Sequence, residues 1–309
     1  GPSFTDSTYA RSGMHGLLQR VWWDTLRPGR IYAAAPHAGL LRTLDSGKHW
    51  DVLPAPKHVN GVSDFIVLPG TANRPDTLII ASGLYSLNTP KQTYSTGLYR
   101  SVDGGKNWQA AGLHFLPEKQ IYIYDMIRTG QGQLFLTDGR RVFTKARGTS
   151  RWDTLRPEIP RKGKIKKLVY EEDALWLSGN QVCHNLDTRT GKTTPISGGF
   201  PDNFRAALTG HQGKLFVLVA DTKNFRTRFF RVQGLALAAD YPALETRSGR
   251  HYVLQLVSAG NHLVGGGVQM YRFAPTAGQK TRIAPVHADI RDAVGWGDTV
   301  LIAHDGGIS

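Results

Sequence analysis

The sequence has one cysteine, Cys183, so no disulfide closes within the chain and no cysteine-rich zinc site can form. It sits in QVCHNL between apolar residues, the setting of a buried structural thiol rather than of a nucleophile. Missing too are an apolar run of about 18 residues, such as a bilayer span requires, and any stretch of sustained helical period. Their absence excludes helical zippers, coiled coils and helical membrane spans. Acidic residues are scarce: Asp and Glu number 24 against 38 Lys and Arg, giving a formal net charge of +14 and an isoelectric point near 10.0. That balance favours anionic neighbours: nucleic acid, acidic glycan, lipopolysaccharide or an acidic protein face. The basic residues are dispersed, however. The densest cluster, PRKGKIKK (Pro160 to Lys167), reads as a solvated loop and strand edge, so nucleic acid is not the expected partner. The DGG and GGG segments read as turns, since no helix follows to offer its N-terminus to a phosphate.

What the 309 residues do contain is a repeat. A short apolar strand recurs as RIYAAA (from Arg30), TLIIAS (Thr77), QLFLTD (Gln133), ALWLSG (Ala174), KLFVLV (Lys214), HLVGGG (His262) and TVLIAH (Thr299). The copies step by 47, 56, 41, 40, 48 and 37 residues, a period of about 45 of the kind that marks repeat architectures. A second strand follows each of the first six, as in GLLRTLD (from Gly39) and GLYRSVD (from Gly97). Further strand candidates precede and follow. Four short strands per period predict an all-β propeller: about six complete four-stranded blades and an incomplete seventh, a single domain over 1–309. The nearly continuous apolar runs require cover on both faces, which radial stacking of sheets supplies.

Two segments share the pattern Ser/Thr-x-Asp-x-Gly-x-x-Trp: TLDSGKHW, with Thr43, Asp45, Gly47 and Trp50, and SVDGGKNW, with Ser101, Asp103, Gly105 and Trp108. Both fall between the third and fourth strands of a repeat. The glycines suit positive φ, the aspartates can hold backbone N–H groups two residues on, and the tryptophans can bury a ring while keeping the indole N–H for a local acceptor. Each position therefore has a folding task, and a reaction would need a second carboxylate or base that the two hairpins, on different blades, do not share. Repeat three has lost the aspartate (KARGTSRW) and repeat four keeps only NLDTRTG, which suits a turn brace.

The pattern resembles the Asp-box, or bacterial neuraminidase repeat, of sialidases, sortilin-like receptors, xyloglucan-specific glucanases and many secreted propellers. The order GRIYAAAPHAGLLRTLDSGKHW, GVSD, TLIIASG and YSTGLYRSVDGGKNWQAAGL, with VHADIRD and TVLIAHDGGIS near the end, is similar to sortilin-like Asp-box proteins secreted by Bacteroidetes, of the type IX secretion cargo kind. The likeness covers residues 16–115 and 284–309. It implies a longer polypeptide with more blades and a C-terminal secretion signal, and a Gly1-Pro2 that is native or a cleavage scar. It also implies location outside the cell, secreted or on the outer surface. An unfinished blade leaves a strand edge near Ile302 to Ser309 as a template for another segment or chain.

The enzymes that share the pattern are matched poorly. A sialidase needs an arginine cluster with a Tyr/Glu pair, and the nearest entry motif, TRIAP (Thr281 to Pro285), is misplaced. A xyloglucan-type glucanase has a carboxylate where APHAGL carries His37. The leading expectation is a binding propeller without chemistry of its own, recognising a protein, peptide or anionic glycan, with no cofactor or metal. A glycoside hydrolase with a divergent site and a structural subunit of a surface or secretion assembly stay as alternatives. Candidate contacts are an axial group of His37, His287, Asp289, His304 and Asp305, and a basic surface of Arg140, Arg141, Arg226, Arg228 and Arg231. The long polar insert Ser82 to Gly97 is a third, since it exceeds a turn.

Overall fold

The computed structural model describes residues 17–309 apart from 37, 58, 60, 84–93, 242–245, 248–253, 268, 275–277 and 284–289. Its described residues hold no α-helix and one 3-10 turn, Pro117–Lys119. Strands fall along the chain into seven groups, one per sequence repeat. First strands are Arg20–Trp23, Val62–Leu68, Asp125–Arg128, Lys164–Glu171, Phe204–His211, Gln255–Ala259 and Ile290–Trp296. Second strands are Ile31–Ala35, Thr77–Ser82, Leu134–Thr137, Ala174–Asn180, Lys214–Asp221, His262–Gly266 and Thr299–His304, each beginning within one residue of the apolar run that predicted it. The first six repeats go on to a third and a fourth strand, and the seventh has a third, Gly307–Ile308.

Repeats one, two and six form antiparallel sheets whose strand order follows the chain. Repeats four and five, expected as separate sheets, join instead into one sheet of nine strands. Asn180 pairs with Arg205, Gln181 N–H donates to the Phe204 carbonyl at 2.9 Å, and Ser197 bridges Ala236 in parallel. The physical reason is local: Gln181 turns at a φ of 51°, and buried backbone groups brought side by side pair rather than stay unsatisfied.

The chain folds as two compact units. One runs to Asp138 and includes Thr144–Asp153 and Leu301–Ser309; the other takes Gly139–Phe143 and Thr154–Val300. In the first, Tyr32, Ala34 and Leu40 of repeat one pack on Phe65, Val67, Leu78 and Ile80 of repeat two. In the second, the strand Lys214–Asp221 is buried on both sides. Val217 and Val219 face Trp176 and Cys183 of repeat four, while Phe216, Leu218 and Ala220 face Leu256, Leu263 and Phe273 of repeat six. Period-two alternation in an all-apolar run thus serves two interfaces at once. Phe229 stacks between Phe216 and Phe273, with ring centroids at 5.5 and 5.0 Å, so its ring is the central plate of that interface. Cys183 lies fully inside, where burial pushes its thiol pKa up.

Candidate functional site

In the two tryptophan hairpins the hydroxyl and the carboxylate divide the backbone donors between them. Thr43 Oγ1 donates to Asp45 Oδ1 at 2.8 Å and accepts the Gly47 N–H at 2.9 Å, and Asp45 Oδ1 accepts the His49 N–H at 2.9 Å. Ser101 and Asp103 repeat the arrangement: Oγ accepts the Gly105 N–H at 2.8 Å, and Oδ1 accepts from Lys106 and Asn107 at 3.1 and 3.0 Å. The carboxylates therefore reach three and four residues on rather than two, because the hydroxyl already takes the nearer N–H groups. The backbone donors of His49 and Asn107 hold Asp45 and Asp103 well below the usual carboxylate range. Gly47 and Gly105 adopt φ of 88° and 91°, as the turn requires.

The hairpins are not independent of each other. Trp108 Nε1–H donates to the Pro54 carbonyl at 2.7 Å, and its ring lies on the cluster around Tyr32 and Leu53. A Cβ on Gly105 would stand 2.8 Å from Leu53. In repeat three, which lacks the aspartate, Trp152 still donates to the Ala111 carbonyl at 3.0 Å. The tryptophan ties its hairpin to the preceding repeat, whether or not the carboxylate is kept.

First strands carry a second pattern, which the sequence reading missed. Arg20 lies between two carboxylates, Nε to Asp64 Oδ1 and Nη1 to Asp125 Oδ1, both at 2.8 Å. Both aspartates are about 1% exposed, and Asp64 also accepts the N–H groups of Phe65 and Met126 at 2.7 and 2.6 Å. A bulge between Val62 and Asp64 interrupts the register there. Enclosed around Arg20, these carboxylates brace three repeats to one another.

Repeat four has the same irregularity, between Ile165 and Lys167. Pro160 to Lys167, expected as a solvated loop and strand edge, is a turn up to Gly163 and then the start of the strand Lys164–Glu171, in which Ile165 is buried and Lys166 half-buried rather than solvated. The bulge depends on Gly179, since a Cβ there would stand 2.1 Å from the Lys164 carbonyl oxygen and 2.7 Å from the Lys166 nitrogen. Lys167 Nζ meets Asp292 Oδ1 at 2.9 Å. Burial, with the charges of Lys164 and Arg205, pushes the Lys166 amine down to about 6. Lys166 thus lies beside Lys164 and Arg205, and the adjacent Lys167 pairs with Asp292.

Of the expected axial group, His37, His287 and Asp289 lie outside the described residues. His304 is buried; its Nδ1 accepts the Gly306 N–H at 3.0 Å, which leaves Nε2–H to donate to Ser309 Oγ at 2.7 Å. Asp305 stands next to it, half-buried. Among the described residues no three His, Cys, Asp or Glu side chains converge as metal ligands do. The expected basic surface separates into parts. Arg140 Nη1 donates to the carbonyls of Pro160, Arg161 and Gly163 at 2.9 to 3.3 Å. Arg141 covers the Phe143 ring at 5.0 Å, and Arg231 reaches Gln233 at 3.3 Å. Arg226 and Arg228 border a pocket of about 200 Å³ with Phe200, Phe230 and Leu237. The insert Ser82 to Gly97 falls mostly outside the described residues.

No family model matches the chain, and no curated protein does. Solved structures do. An ancestral GH74 enzyme superposes with a TM-score of 0.65 at 16% identity, over 94% of this chain and 44% of its own. YCF48 from Cyanidioschyzon merolae gives 0.62 at 14% identity over 94% of both chains. The extracellular domain of a hybrid two-component system of B. thetaiotaomicron gives 0.64 at 11%, over 96% of this chain and 38% of that one. The fold is an all-β propeller. The chain spans less than half the length of the first and third of these. At such identities the propeller is what they share with it, and its seven strand groups are the blades.

Proposed function

We propose that this propeller is a binding module that takes an acidic segment of a protein or peptide on the first strands of blades four and five. The observation that supports the reading is that Lys166 lies beside Lys164 and Arg205, while the adjacent Lys167 pairs with Asp292. Lys164 and Arg205 belong to the first strands of two consecutive blades, which pair with each other through Asn180 and Arg205. YCF48 has been solved bound to a D1 peptide, which supports peptide as the ligand class, and the extracellular neighbour supports a location outside the cell. The two tryptophan hairpins are read as Asp-box braces, and residues 1–309 as one propeller domain. Completion of blade seven by another strand belongs to the same reading.

The test is fluorescence anisotropy with a labelled glutamate-rich decapeptide and a glutamine-rich control. The acidic peptide is expected to bind at least about tenfold more tightly, with salt weakening it, and Lys164→Gln/Arg205→Gln is expected to remove that preference. Equal binding of both peptides overturns the proposal. A glycoside hydrolase remains the competing reading, supported by the GH74 neighbour. Asp64 and Asp125, the carboxylates that converge in blades two and three, are enclosed around Arg20. Release of sugar from xyloglucan or a sialoside, lost on substituting an exposed carboxylate, would establish hydrolysis instead.

A further inference from the structure

The turns that end the first strands of blades five, six and seven hold two histidines, His211 and His262, between them. Blade five's first strand, Phe204–His211, ends on His211, which is 6% exposed. Its Nδ1 shares a hydrogen bond of 2.7 Å with Ser258 Oγ of blade six, and its ring packs edge to face with Phe216, centroids 6.1 Å apart. The next residue fastens the same two blades, Gln212 Nε2 donating to Asn261 Oδ1 at 3.2 Å. His262 opens blade six's second strand. Its Nδ1 is buried and makes no hydrogen bond among the described residues; Asp298 Oδ1, on the turn of blade seven, stands 3.8 Å away. The backbone fits closely around both imidazoles. A Cβ on Gly210 would meet the Glu171 carboxylate at 2.0 Å, one on Gly260 would meet Asp298 Oδ1 at 2.5 Å, and one on Gly295 the Ser258 carbonyl oxygen at 2.0 Å.

We propose that His211 and His262 form an acid-operated switch among these turns. While both imidazoles are neutral, blade five stays tied to blade six through Ser258. Once charged they repel each other, His262 gains a donor at Nδ1 that closes on Asp298, and the turn of blade five comes free. Nearby charges do not offset that repulsion at His211. Lys214, its partner in the strand pairing, adds positive charge, and alternation along the strand puts Glu171, with Glu172 beside it, over Gly210 on the opposite face. Asp298, 75% exposed, attends His262. Burial and the charge of His262 hold His211 below the ordinary imidazole range, so the closed arrangement binds fewer protons than the open one. Its stability is complete above the ordinary histidine value of about 6.5 and falls as pH drops from there toward the lowered value. The switch takes no ligand and is independent of the peptide contact proposed above.

The experiment is hydrogen exchange by mass spectrometry on the full chain between pH 7.5 and pH 5.5, with intrinsic exchange rates divided out. Segments 204–213 and 255–262 are expected to open more often by up to about tenfold per pH unit below about 6.5, while Ile31–Ala35 of blade one keeps its protection. His211→Gln, whose amide can still bond Ser258, is expected to remove that pH dependence. His262→Gln, which deletes the neighbouring charge, is expected to raise the pH at which the His211 ring titrates in NMR spectra. Opening that does not change with pH in the parent, or changes as much in a folded His211→Gln variant, overturns the proposal. So does a loss of protection shared equally by Ile31–Ala35, which would mark general acid destabilisation. Should His211→Gln fail to fold, His262→Gln decides alone: a His211 titration that does not move overturns the switch.

Discussion

Blades two and four both break register near the start of the first strand, after the first pair in one and after the second in the other, and use the break in opposite ways. In blade two the bulge delivers Asp64 to Arg20, which Asp125 meets from blade three. In blade four it delivers Lys166 and Lys167 to a neighbourhood that already holds Lys164 and Arg205, with Asp292 as the carboxylate. One geometry therefore yields a closed network in one unit and a cationic excess in the other. A charge set between opposite charges and backbone donors is satisfied by the fold itself. Like charges held together in a desolvated place shift one another's protonation instead.

The comparison breaks most sharply on Arg20. Arg20→Met strands two buried carboxylates, and urea denaturation is expected to show a loss of about 3–5 kcal/mol. If the variant is as stable as the parent, the network is no brace. Lys166→Met is expected to act the other way: acidic-peptide affinity falls about tenfold or more, while stability rises. That gain follows from the direction of the shift. A lysine lowered to about 6 opposes folding fully at pH below about 6, and the penalty fades as pH climbs toward the ordinary 10.5. Melting curves at pH 5 and pH 10 are expected to separate the variant from the parent only at the lower pH.

Proton linkage sharpens the contrast further. Without the peptide, Lys166 is mostly neutral above about pH 6, and an acid bound beside Lys164, Lys166 and Arg205 restores its charge. Affinity is then expected to fall by up to about tenfold per pH unit above 6, with about one proton taken up on binding. Calorimetry in buffers of different ionisation enthalpy reads this directly; zero uptake rules out Lys166 as a contact. The smallest effect concerns the hairpins. Trp108→Phe removes the indole donor to Pro54 and is expected to cost about 1 kcal/mol by urea denaturation, and Trp152→Phe a similar amount despite the lost aspartate. A cost confined to Trp108 would show that the carboxylate, not the indole tie, sets the hairpin's contribution.

Strands and hairpins were legible in the chain because they are local. An apolar run such as KLFVLV announces a strand with two covered faces, and Thr43, Asp45 and Gly47 complete one turn within five residues. The direction of Trp108 was not legible, since Pro54 belongs to another blade. Arg226 and Arg228 were visible as basic residues, but the pocket beside them needed Phe200 and Leu237, contributed by a connection and a last strand. Lys164 to Lys167 looked like surface because charge runs usually are; the bulge opposite Gly179 put Lys166 half inside.

The sequence alone determined the period, the strand order within each repeat and the chemistry of the tryptophan turns, because hydrogen bonds and side-chain alternation act over a few residues. Only the tertiary structure decided that Arg20 would close a network while Lys166 opens one, and that two arginines would border an apolar pocket. Those outcomes depend on which strands of distant repeats are brought side by side, and neither charge nor burial is a property of a residue apart from its neighbours.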